Sequence, residues 1–198
     1  PPPETSLQIL ERLWWRLDRA LQPDDVRYSA LVCLIDAIRH GVTTLIDHHA
    51  SPNACTGSLD VLAEAFAEAG VRGCLSYEVS DREGREKAQQ AIRENERFAR
   101  RLRRAGRPGQ AAPMLAAMMG LHSAFTLSDE TIGQAASVAR DLGIGCHLHV
   151  GESEDDLFHS RQARRSGPVE RLAALGALGA QTIAAHCVHL DEQERRAL

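Results

Sequence analysis

Leu7, Leu10, Trp14, Leu17 and Leu21 recur at three- and four-residue spacing through SLQILERLWWRLDRAL. That period predicts an amphipathic helix, with Thr5 or Ser6 as its N-cap. A second helix is predicted over DDVRYSALVCLIDAIRH, acidic at its start and followed by Gly41, as dipole and C-cap preferences ask. His40 in its last turn reads as a helix-end residue. The period then shortens. VTTLID is brief and β-branched and reads as a strand. After it the chain predicts a helix over SLDVLAEAFAEAG, capped by Ser58 and closed by Gly70, then a strand over VRGCLSYEV. A long charged helix over REKAQQAIRENERFARRLRRAG precedes PMLAAMMGLH, a strand whose methionines and alanines would also suit a helix. A capped helix, SDETIGQAASVARDLG, leads to the strand IGCHLHV. A helical region broken near SGPVERLAALGALG leads to the last strand, QTIAAHCV.

Strands and helices thus alternate about five times, which predicts an α/β fold with a parallel sheet and helices outside it. An open doubly wound sheet and a (β/α) barrel both satisfy this order. No G-x-G-x-x-G follows the first strand, which weighs against a dinucleotide-binding sheet. A complete eight-stranded barrel takes roughly 250 residues, so five βα units in 198 residues would supply most of one. The chain opens on PPPETS without a methionine and stops in DEQERRAL. The expectation is that residues 1–198 are the central part of one barrel domain, with its N-terminal and C-terminal parts absent.

A formal net charge of -4 gives no electrostatic reason to expect nucleic acid or an anionic membrane as partner. The basic run from Arg100 to Arg107 reads as a solvated helix end. Five cysteines are scattered with no C-x-x-C pair, as suits reduced thiols in a cytoplasmic protein. No signal peptide or transmembrane run is legible.

Chemistry in parallel α/β architectures collects at the C-terminal ends of strands. Here four of the five predicted strands end in histidine motifs: DHHASP, GLHSAFT, HLHVGE and AHCVHL. Several imidazoles converging on one rim predict a shared site. His147 and His149 share one face of their strand. His149 lies nearer the rim, and Glu152 falls in the loop above it, while His147 sits a layer deeper and reads as a packing residue. Neutral imidazole is a common zinc or iron ligand. A carboxylate beside a metal-bound water can take its proton and return it to a leaving group. His186 ends its own strand, where it could bind the metal or polarise the bond under attack. His48 and His49 are candidate substrate contacts. His189 falls in a loop, His159 reads as solvent-facing, and the acidic run Glu154, Asp155, Asp156 reads as a helix N-terminus.

GVTTLID, GLHSAFTLSDE, HLHVGE and AAHCVHL, in this order and spacing, resemble the amidohydrolase superfamily, in its branch of aminohydrolases and chlorohydrolases. The longer runs ILERLWWRLDRAL, DVRYSALVCLIDAIRHGVTTLIDHHASPNA and GSLDVLAEAFAEAGVRGCLSYEVSDREG resemble one subgroup, the SsnA-type aminohydrolases. The resemblance implies a distorted (β/α)8 barrel and one divalent metal ion, zinc or iron. It implies His149 as metal ligand, Glu152 as proton shuttle and His186 as the histidine beside the metal and its water. His122 matches a substrate-contacting histidine, although HSAFT departs from that motif in lacking its proline and tyrosine. An H-x-H pair and an aspartate that complete such metal sites have no counterpart in these residues. The expectation is therefore a hydrolase of non-peptide carbon–nitrogen bonds, deaminating a heterocyclic or amidine-like small molecule through a metal-bound hydroxide, with this chain alone inactive. A dechlorinating or amide-cleaving hydrolase on the same scaffold, and a non-catalytic truncated relative, are the alternatives. Self-association into a homo-oligomer is compatible with this picture.

Overall fold

The computed structural model describes residues 3, 5–105, 114–164 and 166–198, without the side chains of residues 155, 159, 163 and 164. The solvent-facing side chain expected of His159 and the end of the basic run at Arg107 lie outside what is described, while Glu154, Asp155 and Asp156 do open a helix as expected.

Every predicted strand is present. They are β1 (Thr44–His49), β2 (Arg72–Val79), β3 (Leu115–Ala117), β4 (Met119–Ser123), β5 (Cys146–Val150) and β6 (Ile183–His186). All their pairings are parallel, in the order β1-β2-β4-β5-β6, with β3 also against β2. The run PMLAAMMGLH is thus one strand interrupted at Met118, whose N–H still reaches Leu75 O at 3.1 Å. Helices α4 (Ser58–Ala69), α5 (Arg85–Ala105) and α6 (Asp129–Leu142) form the crossovers between successive strands. A curled parallel sheet with its strands in sequential order is a half-barrel of the (β/α)8 kind, one of the two arrangements that the alternation allows. The chain also forms α1 (Ser6–Ile9), a π-helical turn (Leu10–Trp14), α2 (Trp15–Ala20), α3 (Pro23–Arg39), α7 (Glu154–Arg164), α8 (Pro168–Ala174) and α9 (Glu192–Ala197).

The strands bury one face under the helices. Leu75, Val79, Met119, Leu121, Leu148 and Val150 are closed to solvent and pack with Leu59 and Phe66 of α4, Ile92 of α5 and Ile132 of α6. Burying each such side chain stabilises the fold by roughly 1.5–3 kcal/mol before entropy is charged against it. The opposite, concave face carries Glu78, Gly120 and His147, which align across β2, β4 and β5. Gly120 is needed there, because a Cβ would collide with the backbone carbonyl of Tyr77.

Two local expectations are corrected. Ser58 is not a cap: it is the first residue of α4, its hydroxyl donates to Cys55 O at 2.8 Å, and left-handed Gly57 (φ 87°) holds the N-cap position. The first helix also turns a different face inward. Thr5 does cap it, accepting from Gln8 N at 3.2 Å. The π turn at Leu10–Trp14 then adds a residue to one turn and rotates everything after it. Trp14 and Leu17, two members of the predicted apolar stripe, are 49% and 46% exposed. Trp15 and Asp18 point inward instead.

Candidate active site

Strand β1 runs two residues beyond the predicted VTTLID, pairing His48 with Ser76 and His49 with Tyr77. Adjacent strand residues face opposite ways, so these two histidines part company. The His48 ring lies on the concave face, 4.8 Å from the His147 ring and 4.7 Å from the His149 ring, centroid to centroid. The His49 ring lies on the helix side, edge-on to Tyr77 at 5.7 Å, and its Nε2 is engaged with Ser51 Oγ at 2.8 Å. His49 therefore stands apart from the other imidazoles.

His122 of β4 and His149 of β5 meet at 5.7 Å, and His149 meets His186 of β6 at 5.5 Å. By register His186 pairs with Val150, which faces the helices. Its backbone is left-handed (φ 72°), as is that of Cys187 (φ 55°), and this brings the ring round to His149. Left-handed geometry costs a non-glycine residue roughly 1–2 kcal/mol, and such strain gathers at functional sites. Cys187 N donates to Val150 O at 2.8 Å and His189 N to Gly151 O at 2.8 Å, so the loops after β5 and β6 are tied together. Glu152, in the first of these loops, places Oε1 3.7 Å from His186 Nε2, with both side chains open to solvent.

The hydrogen bonds fix which imidazole nitrogens carry lone pairs. His149 Nδ1 lies 2.8 Å from the carbonyl oxygen of His122. A carbonyl only accepts, so Nδ1 holds the proton and Nε2 is left with its lone pair. Thr126 Oγ donates to Ser123 O at 3.2 Å, so His122 Nδ1, 2.7 Å from the same Oγ, is the donor to it. His122 Nε2 is then an acceptor too. Burial pushes His122 down to about 3 and His49 to about 4, and it lowers His48 and His147 as well. Neutral imidazole is the form that coordinates metal. Among the described residues, neither ring nitrogen of His48 nor Nδ1 of His147 has a hydrogen-bond partner.

A ring nitrogen anchored to a carbonyl with its opposite nitrogen free is how metal-binding histidines are held, so His149 fits a divalent ion, with His186 beside it. Among the described residues, no group of three or more His, Cys, Asp or Glu side chains is placed to hold a metal ion.

Several residues around this cluster were missed by sequence reasoning. Glu78, next to last in β2, lies on the concave face, 3.8 Å from His48 Nε2. Burial raises its carboxyl pKa, against the lowering effect of Arg82. Arg82 joins Glu78 at 2.5 Å to Asp18 at 2.7 Å and stacks over the Trp15 ring at 5.4 Å. Trp15 in turn meets the edge of His122 at 6.4 Å. The available signal was position: Glu78 is next to last in its strand, as His122 and His149 are in theirs. Asp156, taken as part of a helix N-terminus, is buried and accepts from Gly151 N at 2.7 Å and Ser123 Oγ at 3.2 Å. It thereby clamps the loop that carries Glu152.

Residues 4–198 match the amidohydrolase family. A 5'-deoxyadenosine deaminase of Methanopyrus kandleri is 30% identical over 91% of this chain and 39% of its own length. A 5-methylthioadenosine/S-adenosylhomocysteine deaminase of Desulfitobacterium hafniense is 31% identical over 91% of this chain and 39% of its own. The chain therefore spans about two fifths of the curated relatives it matches. The crystal structure of an adenosine deaminase from Xanthomonas campestris with bound zinc superposes with a TM-score of 0.81, covering 99% of this chain and 42% of that one. At 18% identity that likeness is one of fold. With nearly its whole length matched, the chain belongs to the amidohydrolase family.

Proposed function

We propose that the full-length protein hydrolyses an exocyclic carbon–nitrogen bond of an amino-substituted nitrogen heterocycle, adenosine derivatives first among them, releasing ammonia. The observation that carries this reading is the grouping on one rim of His149, with its Nε2 lone pair free, and the Glu152–His186 pair 3.7 Å apart. The names of the relatives direct it toward adenosine derivatives.

His149 and His186 would hold part of the coordination shell of one zinc or iron ion, and the chemistry such an ion supplies is acidification of a water. Glu152 lies beside His186, 3.7 Å away. Its carboxylate takes the water's proton and passes it to the departing amine, so water and the amino compound become the ring carbonyl and ammonia. His186, beside Glu152, orients the attacking oxygen. His122 Nε2, an acceptor, takes a hydrogen bond from the substrate. His48, next to His149, lines the floor on which the ring would sit. His49 has no part in this reading, since its ring lies on the helix side.

The test is ammonia release by the full-length, metal-loaded protein from 5'-deoxyadenosine and 5'-methylthioadenosine. Ammonia from either supports the reading. Chloride from a chlorinated heterocycle, or a carboxylic acid from an amide, without ammonia from any amino-heterocycle, would move the reaction to another leaving group on the same residues.

A further inference from the structure

Beside His122 lies a cavity of about 560 Å³ lined by Leu7, Trp15, Arg82, Phe125, Ser160 and Arg171, among others. That falls within the roughly 300–1,000 Å³ usual for small-molecule sites. It adjoins the imidazole cluster, because the Trp15 and Phe125 rings lie 6.4 Å and 6.0 Å from that of His122. Two polar groups on its wall are buried without a hydrogen-bond partner among the described residues, Trp15 Nε1 and Ser160 Oγ. Ser160 is 1% exposed. A buried donor left unpaired costs roughly 1–3 kcal/mol, so each group has reason to meet a ligand.

The charged groups on the wall are, by contrast, already committed. Arg82 is held by Glu78 and Asp18. Arg171 is held by Asp129, by Leu127 O at 2.7 Å and by Ala124 O. Asp81 accepts from Ser128 N at 2.6 Å and Thr131 Oγ at 2.8 Å. Two guanidinium groups are thus held by three carboxylates, and an incoming anion would find neither guanidinium uncommitted.

We propose that this cavity receives the part of the substrate remote from the reacting carbon, and that it selects an uncharged substituent carrying a hydrogen-bond acceptor over a zwitterionic or anionic one. Resting on the function proposed above, this identifies the preferred substrate class as adenosine derivatives with a short neutral 5' substituent. Trp15 Nε1–H and the Ser160 hydroxyl donate to the acceptor, and the Leu7, Phe125 and Trp15 side chains cover the apolar remainder.

5'-Methylthioadenosine and S-adenosylhomocysteine form a matched pair of probes, both thioethers, the second extended by an amino-acid end. Calorimetric titration of the full-length, metal-loaded Glu152→Gln protein, in which the probes should survive the measurement, should give binding about ten-fold tighter, or more, for 5'-methylthioadenosine, a difference of about 1.4 kcal/mol. Trp15→Phe and Ser160→Ala should each weaken 5'-methylthioadenosine by roughly two- to ten-fold, the worth of one hydrogen bond. Ser160→Ala should leave the melting temperature unchanged or higher, since the hydroxyl bonds nothing in the protein, which separates lost binding from lost folding. Equal or tighter binding of S-adenosylhomocysteine overturns the proposal, as does unchanged affinity in both variants or no binding of 5'-methylthioadenosine. Binding with the expected pattern but without ammonia release by the wild-type protein would sustain the subsite and sink the deamination. Ammonia release with S-adenosylhomocysteine preferred would do the reverse.

Discussion

The Nδ1 of His149 points at the carbonyl oxygen of His122, 2.8 Å away across the β4–β5 pair. One backbone oxygen thereby sets the tautomer of a side chain on the next strand and turns its second nitrogen toward the shared rim. His149→Ala in the full-length protein should lower metal affinity by more than ~100-fold, the upper range for losing only an outer-shell partner. Elemental analysis after dialysis checks this, and stoichiometric retained metal would remove His149 from the ligand set.

Glu152→Gln keeps the shape of the side chain and removes its ability to take a proton. Metal content should be unchanged while turnover falls by roughly 10²–10⁴-fold, the usual contribution of a positioned acid–base group. Single-turnover ammonia assays on metal-matched samples decide it. Activity within a few-fold of wild type would leave the proton transfer to another group.

Asp156 holds Gly151 N–H with one oxygen and Ser123 Oγ with the other. Asp156→Ala strands both partners inside the protein and should cost roughly 1–3 kcal/mol for each unpaired group. Asp156→Asn, able to accept with one oxygen, should cost less. Urea denaturation of both variants gives the order, and an alanine variant as stable as wild type would contradict the clamp.

Asp47 faces the helix side of β1, with one carboxylate oxygen unpartnered. Burial raises its pKa from 3.8 to about 6. The folded chain therefore binds this proton more tightly than the unfolded chain does. The group does not oppose folding below about pH 4, and its cost grows as pH rises through about 6, to on the order of 3 kcal/mol. Asp47→Asn should be more stable than wild type near pH 7.5, with the advantage gone near pH 4. Thermal melts across that range test it, and a pH-independent difference would show that burial of Asp47 is not its source.

Residues 1–198 taken alone should hold metal well below one ion per chain, because no described trio of ligating side chains is in place. Equilibrium dialysis against zinc checks this directly.

The elements and the rim were legible because each leaves a short-range mark. The β-branched runs mark strands, and a histidine at a strand end stands out against its apolar neighbours. What stayed hidden depends on distant contacts. Whether His48 or His49 faces the cluster turns on how far β1 pairs with β2, and the pairing runs through His49 and Tyr77. Glu78, Arg82 and Asp18 carry charges that local propensity assigns to the surface. They are buried because Arg82, in the loop after β2, supplies the counter-ion to Glu78 of that strand and to Asp18 of α2, far away in sequence. Ser58 has the chemistry of a cap, but Gly57 before it takes the left-handed turn and the position with it.

The wide turn at Leu10–Trp14 gives the first helix a consequence in evolutionary terms. Deleting one residue there would let ordinary α-helical winding resume and would leave Trp15 and Asp18 facing inward, because the wide turn is what accommodates the additional residue. Ordinary winding without a deletion would instead swing the following segment by about 100°, the angle between successive α-helical residues, and would put Trp14 and Leu17 in the places of Trp15 and Asp18. Arg82 would then lose one of its two carboxylates. Single-residue insertions and deletions are ordinarily the business of loops; this helix can absorb one without turning its inner face away.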